Sequence, residues 1–280
     1  RRYPILNWNM GMTYRLRERD ERVYPQGELA RRTIGQVGDK GNYGVEYVLR
    51  DVLEGRDGKA RRQRIARGFY GRVVGGDNSE PEDGLDVVTT LDLEMQDVAD
   101  RALRRQLEAQ NALWGTALVM EVATGDLLAM ANLSRTKSGA YAEVKNHALS
   151  SRMEPGSTFK LAALLALVDD AGMSLDETFD TGNGARVKVG RTTVQDSQLN
   201  LKDAVAHSSN VFFARAVYET YKDDPERYVD YLRHLHLDRT VGLEEFGAVA
   251  PIFPAPGMKI WYPDVSIVNM GYGYAIELTP

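Results

Sequence analysis

Two apolar runs, Thr116-Ala-Leu-Val-Met-Glu-Val122 and Leu127-Leu-Ala-Met-Ala131, are separated only by Ala123-Thr-Gly-Asp126. A connection that short, with a glycine in it, predicts an antiparallel hairpin. The runs barely alternate, so both faces of the sheet are expected to be buried and helices must cover it. The flanking sequence supplies them. Val87 to Thr90 reads as a short strand and Asp92 as an N-cap. After it Leu91, Met95, Val98, Ala99, Ala102, Leu103 and Leu107 fall on one helical face. Downstream, Ser157 to about Ala171 predicts a strongly apolar helix, opened by Pro155-Gly156 and closed near Gly172. A second helical region runs from Leu201 to about Tyr221, broken at His207-Ser-Ser-Asn210. Tyr228 to Leu237 reads as a shorter amphipathic helix and Pro251 to Pro256 as loop. The class is α+β: an antiparallel sheet covered by helices.

The first eighty or so residues are of a different kind. They are rich in arginine and glycine, with turn-like stretches at Gly38-Asp39-Lys40-Gly41-Asn42 and Gly75-Gly76-Asp77-Asn78. Short apolar pieces between them predict small strands and one or two short helices. The basic run Arg56 to Arg67 reads as a solvated face between acidic segments, with a patch for an anionic partner as the competing reading. The polar stretch Ser79 to Gly84 marks a boundary, giving a small module over residues 1–85 and a larger one over 86–280.

Composition removes several kinds of function. With 35 basic against 40 acidic residues the net charge is −5, which argues against a binder of duplex nucleic acid. At 43% hydrophobic residues the chain is too apolar to be disordered. No apolar run approaches the roughly 20 residues that span a bilayer. Cysteine is absent, which excludes disulfides and a cysteine nucleophile. Four histidines without a His-Glu-x-x-His pattern make a zinc hydrolase a poor fit.

The remaining chemistry points to serine. No Gly-x-Ser-x-Gly elbow offers a histidine-activated nucleophile, so the alternative base is a lysine. Serine and lysine three apart on a helix share a face. Two such pairs occur, Ser134-Arg-Thr-Lys137 and Ser157-Thr-Phe-Lys160. The first is expected in a polar turn, where no helix fixes its geometry. The second follows Pro155-Gly156, which places Ser157 at the first turn of a helix. There the backbone N–H groups and the positive end of the macrodipole favour a developing alkoxide. That field, with burial beneath Leu161 to Leu167, is expected to push Lys160 toward the neutral amine a base requires. A helix cap and a snorkelling lysine remain the competing reading of this pair. About fifty residues on, Ser208-Ser-Asn210 offers a hydroxyl for proton relay and an amide for a peptide group, or else a helix cap.

Taken together, Glu154-Pro-Gly-Ser-Thr-Phe-Lys160 and Ser208-Ser-Asn210 resemble the catalytic signature of the penicillin-binding protein and serine β-lactamase superfamily. The likeness extends further. Gly84-Leu-Asp-Val-Val-Thr-Thr-Leu-Asp92 with Gln96, and Val119 to Met130, are similar to the start of the transpeptidase domain of class B penicillin-binding proteins. Gly271-Tyr-Gly273 through Leu278-Thr-Pro280 resembles the segment before that domain's last motif block. Tyr24-Pro-Gln-Gly27, Leu29-Ala30, Thr33-Ile-Gly35 and Gly44-Val-Glu46 resemble the pedestal between membrane anchor and catalytic domain. Ala131-Asn-Leu-Ser-Arg135 with Tyr141-Ala-Glu143 is similar to division-type, monofunctional versions from Bacteroidetes. The family's third motif, Lys-Thr/Ser-Gly after Ser-x-Asn, is not in these residues. The only match, Lys137-Ser138-Gly139, precedes Ser157 and is expected in a turn. The sequence is therefore expected to stop before the domain's terminal strands and helix, and to lack the membrane anchor that precedes the pedestal.

The resemblance implies a peptidoglycan D,D-transpeptidase acting in cell-wall synthesis and septation, with its catalytic domain on the periplasmic side of the cytoplasmic membrane. It implies Ser157 as nucleophile, Lys160 as general base, Ser208 as proton relay and Asn210 as the holder of the donor's amide. Peptidoglycan stem peptides are the implied substrate, β-lactams the implied inhibitors, and a membrane glycan polymerase and division proteins the implied partners. No metal or organic cofactor is implied. A D,D-carboxypeptidase or β-lactamase-like hydrolase of the same superfamily, or a non-catalytic division scaffold, are the alternatives.

Overall fold

The computed structural model describes residues 23–280 apart from 39–40, 60–61, 67–68, 73–77, 183–185, 190–191, 196–197 and 241. Over the strands within 60–77 and 183–197 only the backbone is described. The N-terminal part holds three short helices, α1 (Arg31–Ile34), α2 (Gly44–Val48) and α3 (Arg50–Leu53), and an antiparallel hairpin of β1 (Arg62–Ala66) and β2 (Phe69–Arg72). Of the basic run, Arg56 lies 3.8 Å from Glu82 at an exposed position. The side chains of its remaining arginines, and most of the expected turn at Gly75, lie outside the described residues.

The long helix α4 (Leu93–Gln110) starts where Asp92 accepts the Met95 N–H at 2.8 Å. Its buried face is Gln96, Ala99 and Leu107, with Leu103 packed beside them; Met95 and Val98 are 43% and 58% exposed. The expected face is therefore rotated by about one residue, because a glutamine takes an inward position that pattern reading reserves for apolar side chains. Gln96 has a reason to be there. Its amide accepts the Met130 N–H at 2.7 Å and donates to the Met130 carbonyl at 3.3 Å, matching a strand's own donor and acceptor.

Met130 belongs to the hairpin β3 (Trp114–Met120) and β4 (Leu127–Arg135), with β5 (Tyr141–Ala142) on the far side of β4. The register runs from Trp114 against Ser134 to Val119 against Ala129, then slips before Met120 pairs with Leu127. Residues Ala129 to Leu133 are all buried, so β4 is covered on both faces as its sequence requires. β3 is not: Leu118 and Met120 are 37% and 58% exposed. The N-terminal part is tied to this sheet through two bonds. The Arg32 N–H donates to Glu143 Oε2 at 2.8 Å, and Thr33 Oγ1 donates to the Met130 carbonyl at 3.5 Å.

After α5 (His147–Ser150) the chain enters the helical half. Here the expected single helix is three different windings in succession: a 3₁₀ turn over Gly156–Phe159, α6 (Lys160–Leu165), and a π-type stretch over Ala166–Asp170. Small strands β6 (Thr178–Phe179), β7 (Arg186–Val189), β8 (Thr192–Gln195) and β9 (Leu199–Asn200) follow, with β6 paired to β9 and β7 to β8. Then come α7 (Leu201–Ala206) and α8 (Asn210–Tyr221), broken where the sequence predicts. α9 is Pro225–His234, not Tyr228 to Leu237. Asp224 caps it by accepting the Arg227 N–H and Pro225 takes the first helical position, so local capping chemistry sets the start three residues early. The final helix, α10 (Ser266–Met270), lies on α8.

The main core sits among these helices. Phe159, Ala163, Ala166 and Leu167 pack with Phe212, Phe213, Ala216, Val217 and Tyr221 of α8, Tyr228, Val229 and Leu232 of α9, and Ile267 and Met270 of α10. Burying side chains of this size contributes about 1.5–3 kcal/mol each, so α8, with seven of its twelve residues buried, is firmly anchored. That rigidity is what the next feature of the fold uses.

Candidate active site

Pro155 and Gly156 turn the chain into the 3₁₀ helix, with Gly156 at φ +58° and Thr158 Oγ1 donating back to the Pro155 carbonyl at 2.7 Å. In a 3₁₀ helix residues i and i+3 eclipse, whereas in an α-helix they are offset. The tight winding therefore stacks Lys160 directly beneath Ser157, and Lys160 Nζ lies 3.2 Å from Ser157 Oγ. Ser157 is exposed and Lys160 is 5% exposed. The burial comes from a different surface than the sequence suggests. Leu161 and Leu165 face outward, and Lys160 passes inward beside Phe213 of α8, with Nζ 5.9 Å from that ring's centre.

From the other side comes the break between α7 and α8. Ser209 is buried and caps α8 by accepting the Phe212 N–H at 3.2 Å. The capping role thus belongs to the middle residue, which leaves the two around it available for something else. Ser208 holds a left-handed backbone, φ +52°, an uncommon state for serine. It presents both its carbonyl and its hydroxyl to Lys160 Nζ, at 2.5 and 3.0 Å. Asn210, first residue of α8, adds Oδ1 at 2.5 Å. The structure thus brings together all of Ser157, Lys160, Ser208 and Asn210 around one nitrogen. That nitrogen has four neutral oxygens in its shell, while an ammonium has three protons to donate. One hydroxyl can therefore donate to it instead once it is unprotonated.

A cleft of about 630 Å³ opens beside Asn210, walled by Glu154, Tyr262, Asn269, Tyr272 and Tyr274. It offers peptide-sized space against Asn210, the member of the cluster that lines it. Among the described residues no three His, Cys, Asp or Glu side chains gather as they would around a metal ion.

The other serine–lysine pair, Ser134 and Lys137, shares no such bond. Ser134 ends in β4, not in a turn, and its Oγ lies 2.7 Å from His147 Nε2. Lys137, Ser138 and Gly139 form the turn after it. His147 continues through Nδ1 to Ser151 Oγ at 2.8 Å, and its ring stacks on Trp114 with centres 4.2 Å apart. Burial holds this imidazole below the usual histidine range. Sequence reading gave no hint of this relay, because its members stand on different elements. Nearby, burial pushes the Glu143 carboxyl up to about 7 in spite of the Arg32 N–H it accepts.

Comparison with known proteins shows the family of the chain. A family model described as the penicillin binding protein transpeptidase domain matches residues 115–280. The chain is 29% identical over 274 residues to a probable peptidoglycan D,D-transpeptidase, PenA, of Neisseria meningitidis, covering 92% of this chain and 45% of that protein. It is 27% identical over 281 residues to the peptidoglycan D,D-transpeptidase FtsI of Escherichia coli, covering 95% of this chain and again 45% of the relative. The chain thus spans less than half the length of these relatives. Among solved structures, penicillin binding protein 3 from Mycobacterium tuberculosis in complex with aztreonam superposes with a TM-score of 0.74 at 26% identity, over 93% of this chain and 56% of that one. With the family's domain matched over more than half of its residues, the chain belongs to the penicillin-binding protein transpeptidase family.

Proposed function

We propose that this chain is part of a serine D,D-transpeptidase that cross-links peptidoglycan stem peptides ending in D-Ala-D-Ala. The observation that carries the reading is the single buried amine of Lys160 within bonding distance of both Ser157 Oγ and Ser208 Oγ. Ser157 Oγ attacks the penultimate carbonyl and its proton passes to unprotonated Lys160 Nζ. The carbon–nitrogen bond then breaks. Ser208 gives its hydroxyl proton to the departing D-alanine amine and recovers one from Lys160, leaving an ester on Ser157. Asn210 holds the donor's amide, and the Ser157 N–H forms one arm of the oxyanion hole. The amine of a neighbouring stem peptide attacks the ester, loses a proton along the same path in reverse, and releases Ser157 with the new amide formed.

Two features support the transferase over a hydrolase of the same superfamily. The N-terminal part, residues 1–85, carries the pedestal-like motifs, with 86–280 as the transpeptidase portion, and the similar curated proteins bear transpeptidase names. β-Lactams acylate the same serine in this reading; the aztreonam and ampicillin complexes of the similar mycobacterial protein support it. The protein works at the cytoplasmic membrane, facing the periplasm, alongside a glycan polymerase and division proteins. No helix among the described residues is long and apolar enough to cross a membrane.

The test is labelling of full-length protein with a fluorescent penicillin, mapped by mass. The full protein is used because no Lys-Thr/Ser-Gly follows Ser208-Ser-Asn210 within these residues. A slowly hydrolysed adduct on Ser157, absent in Ser157→Ala, is the expected result. Rapid deacylation would favour the hydrolase, and no adduct at all the scaffold.

A further inference from the structure

The segment Gly271–Leu278 touches both halves of the candidate site. At its start Gly271 lies against α8, where a Cβ would stand 2.9 Å from the Phe213 carbonyl, one turn beyond Asn210. Two residues on, Gly273 lies against the loop that presents Ser157. The Gly156 N–H donates to the Gly273 carbonyl at 2.9 Å. A Cβ on Gly273 would stand 1.9 Å from the Gly156 carbonyl oxygen and 2.6 Å from its carbon. Those are backbone atoms, which cannot rotate away, and Gly273 also holds φ +88°.

The contact continues past this point. Ala275 N–H donates to Glu154 Oε1 at 3.1 Å. Leu278 and Met153 exchange both backbone bonds, at 2.9 and 3.0 Å, and Glu277 and Ile252 do the same on the opposite edge, at 2.9 Å each. The strip is thus held from both sides, and its tie at Gly156 is one residue from Ser157. Ser157 has little margin. Its 3.2 Å separation from Lys160 Nζ is at the long end for a hydrogen bond, so a shift of half an ångström outward breaks it.

We propose that Gly273 and Glu154 are positioning residues for Ser157, and that the strip they anchor sets the reach of that hydroxyl to Lys160 Nζ and to Ser208 and Asn210 at the break before α8. The proposal rests on the reading of Ser157 as the nucleophile. In it Glu154 acts as a neutral-equivalent acceptor for a backbone N–H, so an amide oxygen can replace its carboxylate.

The test separates the limiting acylation rate from the concentration giving half that rate, using benzylpenicillin and the full-length protein. Gly273→Ala is expected to lower the limiting rate about tenfold or more, with the half-saturating concentration changed by less than about threefold and the adduct still on Ser157. Glu154→Ala is expected to lower it about three- to tenfold, and Glu154→Gln to recover it to within about twofold of wild type. A role confined to stability would lower the unfolding temperature without this rate split or this rescue. Folded Gly273→Ala protein acylating at the wild-type rate overturns the proposal. So does Glu154→Gln that is as slow as Glu154→Ala. If Gly273→Ala does not fold, the exposed Glu154 pair decides alone. Wild-type protein that forms no adduct on Ser157 is a separate outcome; it removes the nucleophile reading and the proposal with it.

Discussion

Among the described residues a serine hydroxyl meets a nitrogen base in two places, and these differ in everything else. On the sheet side His147 has both ring nitrogens engaged, by Ser134 and Ser151, and one ring face covered by Trp114. On the helical side Lys160 is just as enclosed, yet Ser157 above it is exposed and a cleft opens beside Asn210. The first arrangement closes on itself: each polar group satisfies another, which is what a fold requires of groups it buries. The second leaves the hydroxyl facing outward. A base within reach of a serine is therefore a poor marker of catalysis by itself; the direction the hydroxyl faces carries the distinction.

The sharpest way to break this contrast is to remove each base. Lys160→Met, which keeps much of the side chain's length, is expected to lower penicillin acylation by about 10²–10⁴-fold, the usual worth of a positioned general base. His147→Phe keeps a ring against Trp114 and is expected to leave acylation within about fivefold while costing about 1–3 kcal/mol of stability, from two hydroxyls left without their partner. Stopped-flow acylation and urea unfolding on the same preparations give both numbers. Equal kinetic losses would mean that the sheet-side relay takes part in the chemistry.

Glu143 extends the comparison to pH. Burial raises it from 4.5 to about 7, so between those values the folded chain holds a proton that the unfolded chain has released. Its contribution to stability is then fully present below about pH 4.5 and is lost as pH rises through 7, a change on the order of 3 kcal/mol. Glu143→Gln is expected to remove that slope and to be the more stable protein at pH 8, with the two proteins alike near pH 4.5; urea midpoints across the range check it. The smallest change in stability is expected at the break before α8. Ser209→Ala removes a cap and is expected to cost about 1 kcal/mol of stability, with acylation nearly unchanged. Ser208→Ala is expected to do the reverse. Thermal melts beside labelling rates separate the two.

What could be read from the chain and what could not divides along sequence distance. Ser157 with Lys160, and Ser208 with Asn210, lie three and two residues apart, so a local pattern suffices to name them, and the hairpin announces itself through a short turn. The 3₁₀ winding was out of reach, because Pro-Gly-Ser opens an α-helix equally well and only the packing of Phe159 and Lys160 against α8 selects the tighter form. Gln96 misled the phase of α4, since its inward position is justified by Met130, more than thirty residues away. The His147 relay and the Gly273–Gly156 contact were invisible for the same reason: each joins elements that become neighbours only after folding.

The helix that carries Ser157 is overwound at its first turn and underwound at its last. These departures have opposite sign, so twist added beneath Ser157 is given back before the helix ends, and the far end emerges near the angle an ordinary helix would have reached. There Tyr221 and Tyr231 grip Asp170 and Asp169. The chain can thus overwind four residues to aim one oxygen while the far end of that rod keeps the orientation it would have had anyway.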